Sequence, residues 1–130
     1  MKTDFTVLIA DRNPHVRCFL KRELAAEGFQ VIVAESGQEI LKWSFGPLPL
    51  DLVVIDPDLP DMDSAALLKK LSGRIPPLPV VLHTLPGEEK IDDMRGMIVF
   101  VEKGSQSVDR LKAVIADILS RKKAAPIPDR

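Results

Sequence analysis

Cysteine is almost missing from this chain. Cys18 stands alone, so no disulfide can close within it, and a reducing compartment is the expectation that fits. Long apolar runs are missing as well. The longest fall far short of the roughly 20 residues that a membrane-spanning helix needs. The opening Met1-Lys2-Thr3-Asp4 carries an acid and leads into no extended apolar region, unlike a secretory signal. Neither sign of charge dominates: 18 Lys and Arg against 19 Asp and Glu leave a formal net charge of -1. That balance argues against a nucleic-acid or membrane-surface partner. What remains is an ordinary soluble composition, 45% hydrophobic and 28% charged over 130 residues, the usual size for one domain with one core. The cytoplasm is the default expectation.

Strand-length apolar runs alternate with helix-period stretches. Phe5 to Ala10 is β-rich with little polar alternation, the pattern of a strand buried on both faces. Asp11-Arg12-Asn13-Pro14 breaks it, and Pro14 suits the first turn of a helix. Val16, Phe19, Leu20 and Leu24 recur at helical spacing until Gly28. Phe29 to Ala34 is a second strand. Ser36 and Glu39 form a capping box for a short helix through Trp43. Leu52 to Ile55 is a third strand ending at Asp56, Ala65 to Leu71 a helix, and Val80 to His83 a fourth strand ending at Thr84. Glu88 to Arg95 allows only a brief helix. Met97 to Val101 is a fifth strand, with Lys103 just beyond. The last helix, with Ser107 as its cap, carries the stripe Leu111, Val114, Ile115, Ile118 and Leu119. No repeat or second domain is visible. The expected organisation is one domain over residues 1–123 and a frayed tail over 124–130.

This alternation predicts an α/β fold: a doubly wound, five-stranded parallel sheet in a three-layer α/β/α sandwich. In such sheets ligands sit beyond the carboxyl ends of the strands. Four strands deliver polar groups there: Asp11, Asp56, Thr84 and Lys103. Two carboxylates, a hydroxyl and an ammonium suit phosphoryl chemistry. A carboxylate can form an aspartyl phosphate, a divalent cation held by carboxylates can offset phosphoryl charge, and Lys and Thr can bind the phosphoryl oxygens.

The segments VLIADRNPHVR, AESGQEIL, DLVVIDPDLPDMDS, VVLHT and FVEKG resemble the response-regulator receiver family, and the resemblance covers nearly the whole chain. By position it implies that Asp56 is the phosphoacceptor. Asp11 and Asp56, with the backbone carbonyl of Asp58, would hold Mg²⁺. Thr84 and Lys103 would contact the phosphoryl group, and Phe100 is the aromatic that reorients on activation. The resemblance further implies a histidine kinase or phosphotransfer protein as phosphoryl donor, a downstream protein partner, and a monomer or weak homodimer.

The departures from that family cluster at the site. Arg12 stands where the family has a second metal-binding acid, a local change of two charge units. Its guanidinium is expected to reach Asp11 or Asp56 and stand in for the cation, so Mg²⁺ binding should weaken. Pro57 has no N–H to offer a phosphoryl oxygen. Leu85 is bulky after Thr84, and Ser64 replaces a customary glycine. Gly104 replaces the proline after the lysine, so a cis bond there is not expected. Two readings follow: a working phosphoacceptor, or a degenerate receiver acting through protein contact alone.

Blander roles compete at each position. Asp56 can cap its own turn, and Asp61 and Asp63 read as turn and cap residues. Phe100 reads equally as packing, Trp43 reads as packing rather than as a binding platform, and His15 and His83 have no paired ligand spacing. Cys18, on an apolar-rich helix, is expected to be buried and inert. The run Arg121-Lys122-Lys123 reads as a solvated helix end. Among other classes, Asp56-Pro57-Asp58 resembles the DxD of haloacid-dehalogenase-type phosphatases. The chain lacks that family's acidic motif after the lysine and has no room for a cap. The flavodoxin class shares the fold outline, but this first loop holds no glycine-rich phosphate cradle. A signalling switch, not an enzyme, is the expectation.

Overall fold

A computed structural model of the chain describes residues 5–85 and 98–124. The brief helix expected over 88–95 and the tail from 125 lie outside the described residues. The elements are β1 (Thr6–Ala10), α1 (Pro14–Ala26), β2 (Gln30–Ala34), α2 (Gly37–Ser44), β3 (Leu52–Ile55), α3 (Ser64–Leu71), β4 (Val80–Thr84), β5 (Ile98–Glu102) and α4 (Ser107–Ala124). Every strand pair is parallel, in the order β2-β1-β3-β4-β5. The five expected strands are all present, displaced at their ends by a residue or so.

The apolar strand runs are buried on both faces because helices cover both. Leu8, Val53, Ile55, Val80 and Leu82 point into one core with Ile40 of α2 and with Leu67 and Leu71 of α3. Their neighbours Val7, Ile9, Leu52, Val54 and Val81 point into the other, with Leu20 and Leu24 of α1 and with Leu111, Ile115 and Leu119 of α4. The expected α4 stripe therefore forms the seam, although Ser107 is the first residue of that helix rather than its cap. On the α1/α4 side, Lys112 Nζ lies 2.8 Å from Glu23 and 3.6 Å from Glu27, joining the two helices at their rim.

Two expectations for α1 are corrected. Its core contact runs through Leu20 and Leu24, with Val16 half-buried. Phe19 is 41% exposed, and the Arg22 guanidinium lies over its ring. Cys18 is exposed rather than buried, because it sits two positions from Leu20 on the opposite side of the helix.

Local caps set the loops. Asn13 accepts from the His15 N–H at 2.9 Å ahead of Pro14. The Ser36 hydroxyl accepts from the Glu39 N–H as expected, but Glu39 reaches back to the amide of Glu35, not Ser36. Asp63 caps α3 by accepting from Ala66. Asp61 accepts from the N–H groups of Gly37 and Gln38, at 2.8 and 3.0 Å, so the loop after β3 caps α2 from 24 residues away. The Gly37 N–H in particular holds the Asp61 carboxyl below the usual range. A Cβ on Gly37 would lie 3.0 Å from Met62 Sδ, tight enough that Met62 would have to shift, so loop and helix approach closely here.

Asp61→Ala leaves both α2 amides without their acceptor. It should destabilise the domain by about 1 kcal/mol, as other lost caps do, and urea unfolding measures the change. An unchanged midpoint and slope would mean that the tie contributes nothing.

Candidate functional site

β1 lies between β2, the next strand in sequence, and β3, so the chain reverses its direction of sheet growth there. Ligands of open α/β sheets sit at such a reversal, beyond the strand ends. Asp11 and Asp56 occupy this position, one residue past β1 and β3, and both are buried. The sheet holds them together through its backbone, since the Asp56 N–H donates to the Ala10 carbonyl at 2.8 Å.

Two buried carboxylates side by side repel one another unless a cation intervenes. Lys103 supplies it. Its ammonium lies 3.3 Å from Asp11 Oδ2 and 3.5 Å from Asp56 Oδ2. Lys103 is anchored in turn by its N–H, which donates to the Thr84 carbonyl at 2.7 Å. Asp11 Oδ1 accepts from Asn13 and Asp56 Oδ1 from Asp58, closing a small turn at each strand end. The capping role and the site role of Asp56 thus coexist. Asp56 Oδ2 is buried and receives no hydrogen bond from the described residues. Burial raises the Asp11 carboxyl above its usual range, and Asp56 pushes the same way, while the Asn13 N–H and Lys103 pull it down.

Arg12 departs from expectation. Its guanidinium meets neither Asp11 nor Asp56 but pairs with Asp58 Oδ2 at 2.8 Å, with both side chains more than half exposed. An ion pair so open to water contributes about 0–1 kcal/mol, so Arg12 screens the mouth of the site and is not its internal cation. Arg17, one turn into α1, donates to the carbonyls of Asp11 and Arg12 at 2.7 and 3.3 Å. The sequence reading missed Arg17; its place at helical reach behind the strand-end turn was the available signal.

Thr84 is buried at the same edge, and its hydroxyl donates to the Leu85 carbonyl at 3.2 Å. Leu85 itself is half exposed. Phe100 packs half-buried against the α2/α3 core. It lines an open cleft of about 490 Å³ that also borders Lys103 and Arg110. The Lys103–Gly104 bond is trans, as expected. Asp11, Asp56 and Lys103 therefore converge, Thr84 and Phe100 flank them, and Asp58 and Arg12 close the outer rim.

As for a metal, no group of three His, Cys, Asp or Glu side chains converges among the described residues. Asp11 and the unbonded Asp56 Oδ2 are nevertheless hard oxygen donors. Mg²⁺ keeps several waters and takes one or two carboxylates, so the donor chemistry fits that ion.

His83, one residue before Thr84, is 5% exposed, and neither ring nitrogen has a hydrogen-bond partner among the described residues. Desolvation lowers its pKa to about 4; Lys103 acts in the same direction and Asp56 against it. In the unfolded chain an imidazole takes up its proton below about pH 6.5, whereas here it does so only near 4. Protonation thus favours unfolding, and His83 makes stability fall from pH 6.5 towards 4 and then level off. His83→Leu should remove this component, read as the difference between mutant and wild-type denaturation across pH. Parallel profiles would assign the pH dependence to other groups.

A family model described as the response regulator receiver domain matches residues 7–116. Among curated proteins, the DNA-binding transcriptional regulator NtrC of Escherichia coli K12 is 36% identical over 78 residues, 60% of this chain. The same match covers 16% of that protein, so the chain spans only a small part of the relative's length. Among solved structures, one of histidine kinase ThkA in complex with response regulator protein TrrA matches with TM-score 0.75 and 28% identity, over 92% of this chain and 99% of that one. The signal receiver domain of a Luxo repressor protein from Vibrio parahaemolyticus matches with TM-score 0.80 and 24% identity, over 95% and 94% of the two chains. Chemotaxis response regulator CheY4 of Vibrio cholerae matches with TM-score 0.78 and 19% identity, over 89% and 99%.

Proposed function

Since this chain belongs to the response regulator receiver domain family, the signalling modules of two-component phosphorelays, we propose that Asp56 is its phosphoacceptor and that a histidine kinase or phosphotransfer protein is the donor. The observation that carries this reading is the Lys103 ammonium held against both Asp11 and Asp56. An Asp56 oxygen attacks the phosphorus of a phosphohistidine, the P–N bond breaks, and the partner imidazole leaves and takes up a proton. Lys103 then turns from the carboxylates to the new phosphoryl oxygens, and Thr84 gives up its bond to the Leu85 carbonyl to donate to them. Phe100 follows Thr84, and the surface near β4 and β5 presented to a downstream protein changes. The cytoplasm is the compartment that fits such an exchange.

Asp11, Asp56 and the Asp58 carbonyl are the groups that would hold Mg²⁺. When bound, the ion offsets negative charge on the transferring phosphoryl group. Arg12 beside that position weakens binding through its positive charge and the missing acid. Arg12→Asp should therefore tighten Mg²⁺ binding about tenfold or more, equivalent to ~1.4 kcal/mol, as followed by amide NMR shifts. Unchanged affinity would remove Arg12 from the account.

A second reading has its own observation. Arg12 already pairs with Asp58, and Lys103 already lies against both inner carboxylates, so two cations offset most of the negative charge of the three acids without phosphate or metal. On that reading the domain acts by protein contact alone. Acetyl phosphate with Mg²⁺ discriminates the two. Phosphoacceptance gives a mass gain of one phosphoryl group that Asp56→Asn abolishes. An unchanged wild-type mass in saturating reagent would leave the contact-only reading standing.

A further inference from the structure

α2 and α3 pack side by side on one sheet face, and both run away from the site. Their C-terminal ends therefore share the pole opposite Asp56, beside the loops that enter β3 and β4. Ile75 is 92% exposed there, Phe45 54% and Leu48 38%. Arg74 brings the two loops together. Its Nε donates to the Ser44 carbonyl at 2.6 Å and its Nη1 to the Pro76 carbonyl at 2.7 Å. Phe45 and Ile75 each adjoin a residue of that clamp. Pro47, Pro49, Pro76 and Pro77 stiffen the same loops. This apolar knuckle is presented on a fixed frame rather than at a loose tip.

Exposed lysines surround it. Lys69 and Lys70 end α3, which contains no acidic residue, and Lys42 lies near the end of α2 with its ammonium over the Trp43 ring. Cations at helix C-termini offset the macrodipole, and that alone explains the lysines. It does not explain three large apolar side chains in water beside them. Single exposed apolar residues are ordinary, whereas grouped ones mark contact sites.

We propose that this corner is a docking surface for an acidic segment of a partner protein that carries apolar side chains. The lysines select carboxylates, and the Phe45–Leu48–Ile75 knuckle takes the segment's apolar face. Two observations favour a protein segment over nucleic acid. Arg74 already donates to two carbonyls through Nε and Nη1, so its guanidinium is committed to the loops rather than presented whole to a phosphate. The exposed apolar surface would also find no counterpart on a phosphate backbone. Preorganised loops lose little freedom on binding, which favours such a contact. The surface lies away from the acceptor, so a partner here can stay bound whichever state Asp56 is in.

The test is an amide NMR titration of the full chain with an amphipathic peptide of about a dozen residues, Leu and Phe on one face and Glu and Asp on the other. One comparison uses the same peptide with Lys in place of its acids, and another uses vesicles containing phosphatidylserine. Shifts confined to residues 42–48 and 69–77, induced by the acidic peptide and reduced by salt, are expected. Ile75→Asp should weaken binding about tenfold, and so should Lys69→Glu combined with Lys70→Glu. Both sets of changes are on exposed side chains, and a wild-type-like spectrum of each free variant establishes its fold. The proposal falls if the acidic peptide causes no shift up to ~1 mM, the weak limit of useful affinity. It falls equally if the lysine peptide binds as well, if only vesicles bind, or if the shifts map elsewhere.

Discussion

The arrangement of this domain turns on one ammonium between two carboxylates. β1 and β3 are adjacent and parallel, so the sheet itself forces Asp11 and Asp56 into proximity in a buried edge. Their repulsion is a consequence of topology. Lys103, delivered by β5 from two strands away, is the compensation. Removing one partner of a buried charge cluster leaves uncompensated charge, which costs far more than an exposed pair gains. The contrast with Arg12 and Asp58 is instructive. That pair is shorter, at 2.8 Å, yet lies in water and decides little about stability. Burial, not distance, ranks the two.

The site is also held from behind. Arg17 fastens the β1–α1 turn through two carbonyls, Asn13 and Asp58 each cover one carboxylate oxygen with an N–H, and Asp61 ties the loop after Asp56 to the start of α2. A change of charge at Asp56 therefore acts on a frame with few slack joints. Thr84 and Lys103 share a backbone hydrogen bond, so β4 and β5 feel such a change together. Switching domains need an element with two discrete arrangements rather than a continuously soft one, and this framing supplies the stiffness around it.

Much of this was legible in the sequence. Leu52 to Ile55 could be read as a buried strand because four apolar, mostly β-branched residues end at a charged one. Asp11, Asp56 and Lys103 could be grouped because strand ends of a parallel sheet share an edge. Side-chain direction was the harder part. Phe19 follows the helical period closely enough to look buried, but α1 rotates its contact stripe onto Leu20 and Leu24. Cys18 was misplaced for the same reason. Charge and reach alone point Arg12 to the inner carboxylates. Its actual partner is Asp58, a choice of side-chain direction that spacing does not reveal. The capping role of Asp61 was visible, but not that the helix it caps is α2, since that contact spans 24 residues.

The strand order has a consequence for how the chain reaches this state. β1, β2 and β3 come from the first 55 residues, and β1 lies between the other two. The N-terminal half thus contains a complete parallel unit that already sets Asp11 beside Asp56. Lys103 arrives only with the last strand. The cation that lies between these acids comes from almost fifty residues further along the chain. Docking of β5 therefore brings an offsetting charge beside the acids as well as burying Val101. The site is thus complete only when β5 is in place, although the second core still requires α4, and a chain cut before Lys103 cannot display the acceptor in its finished form.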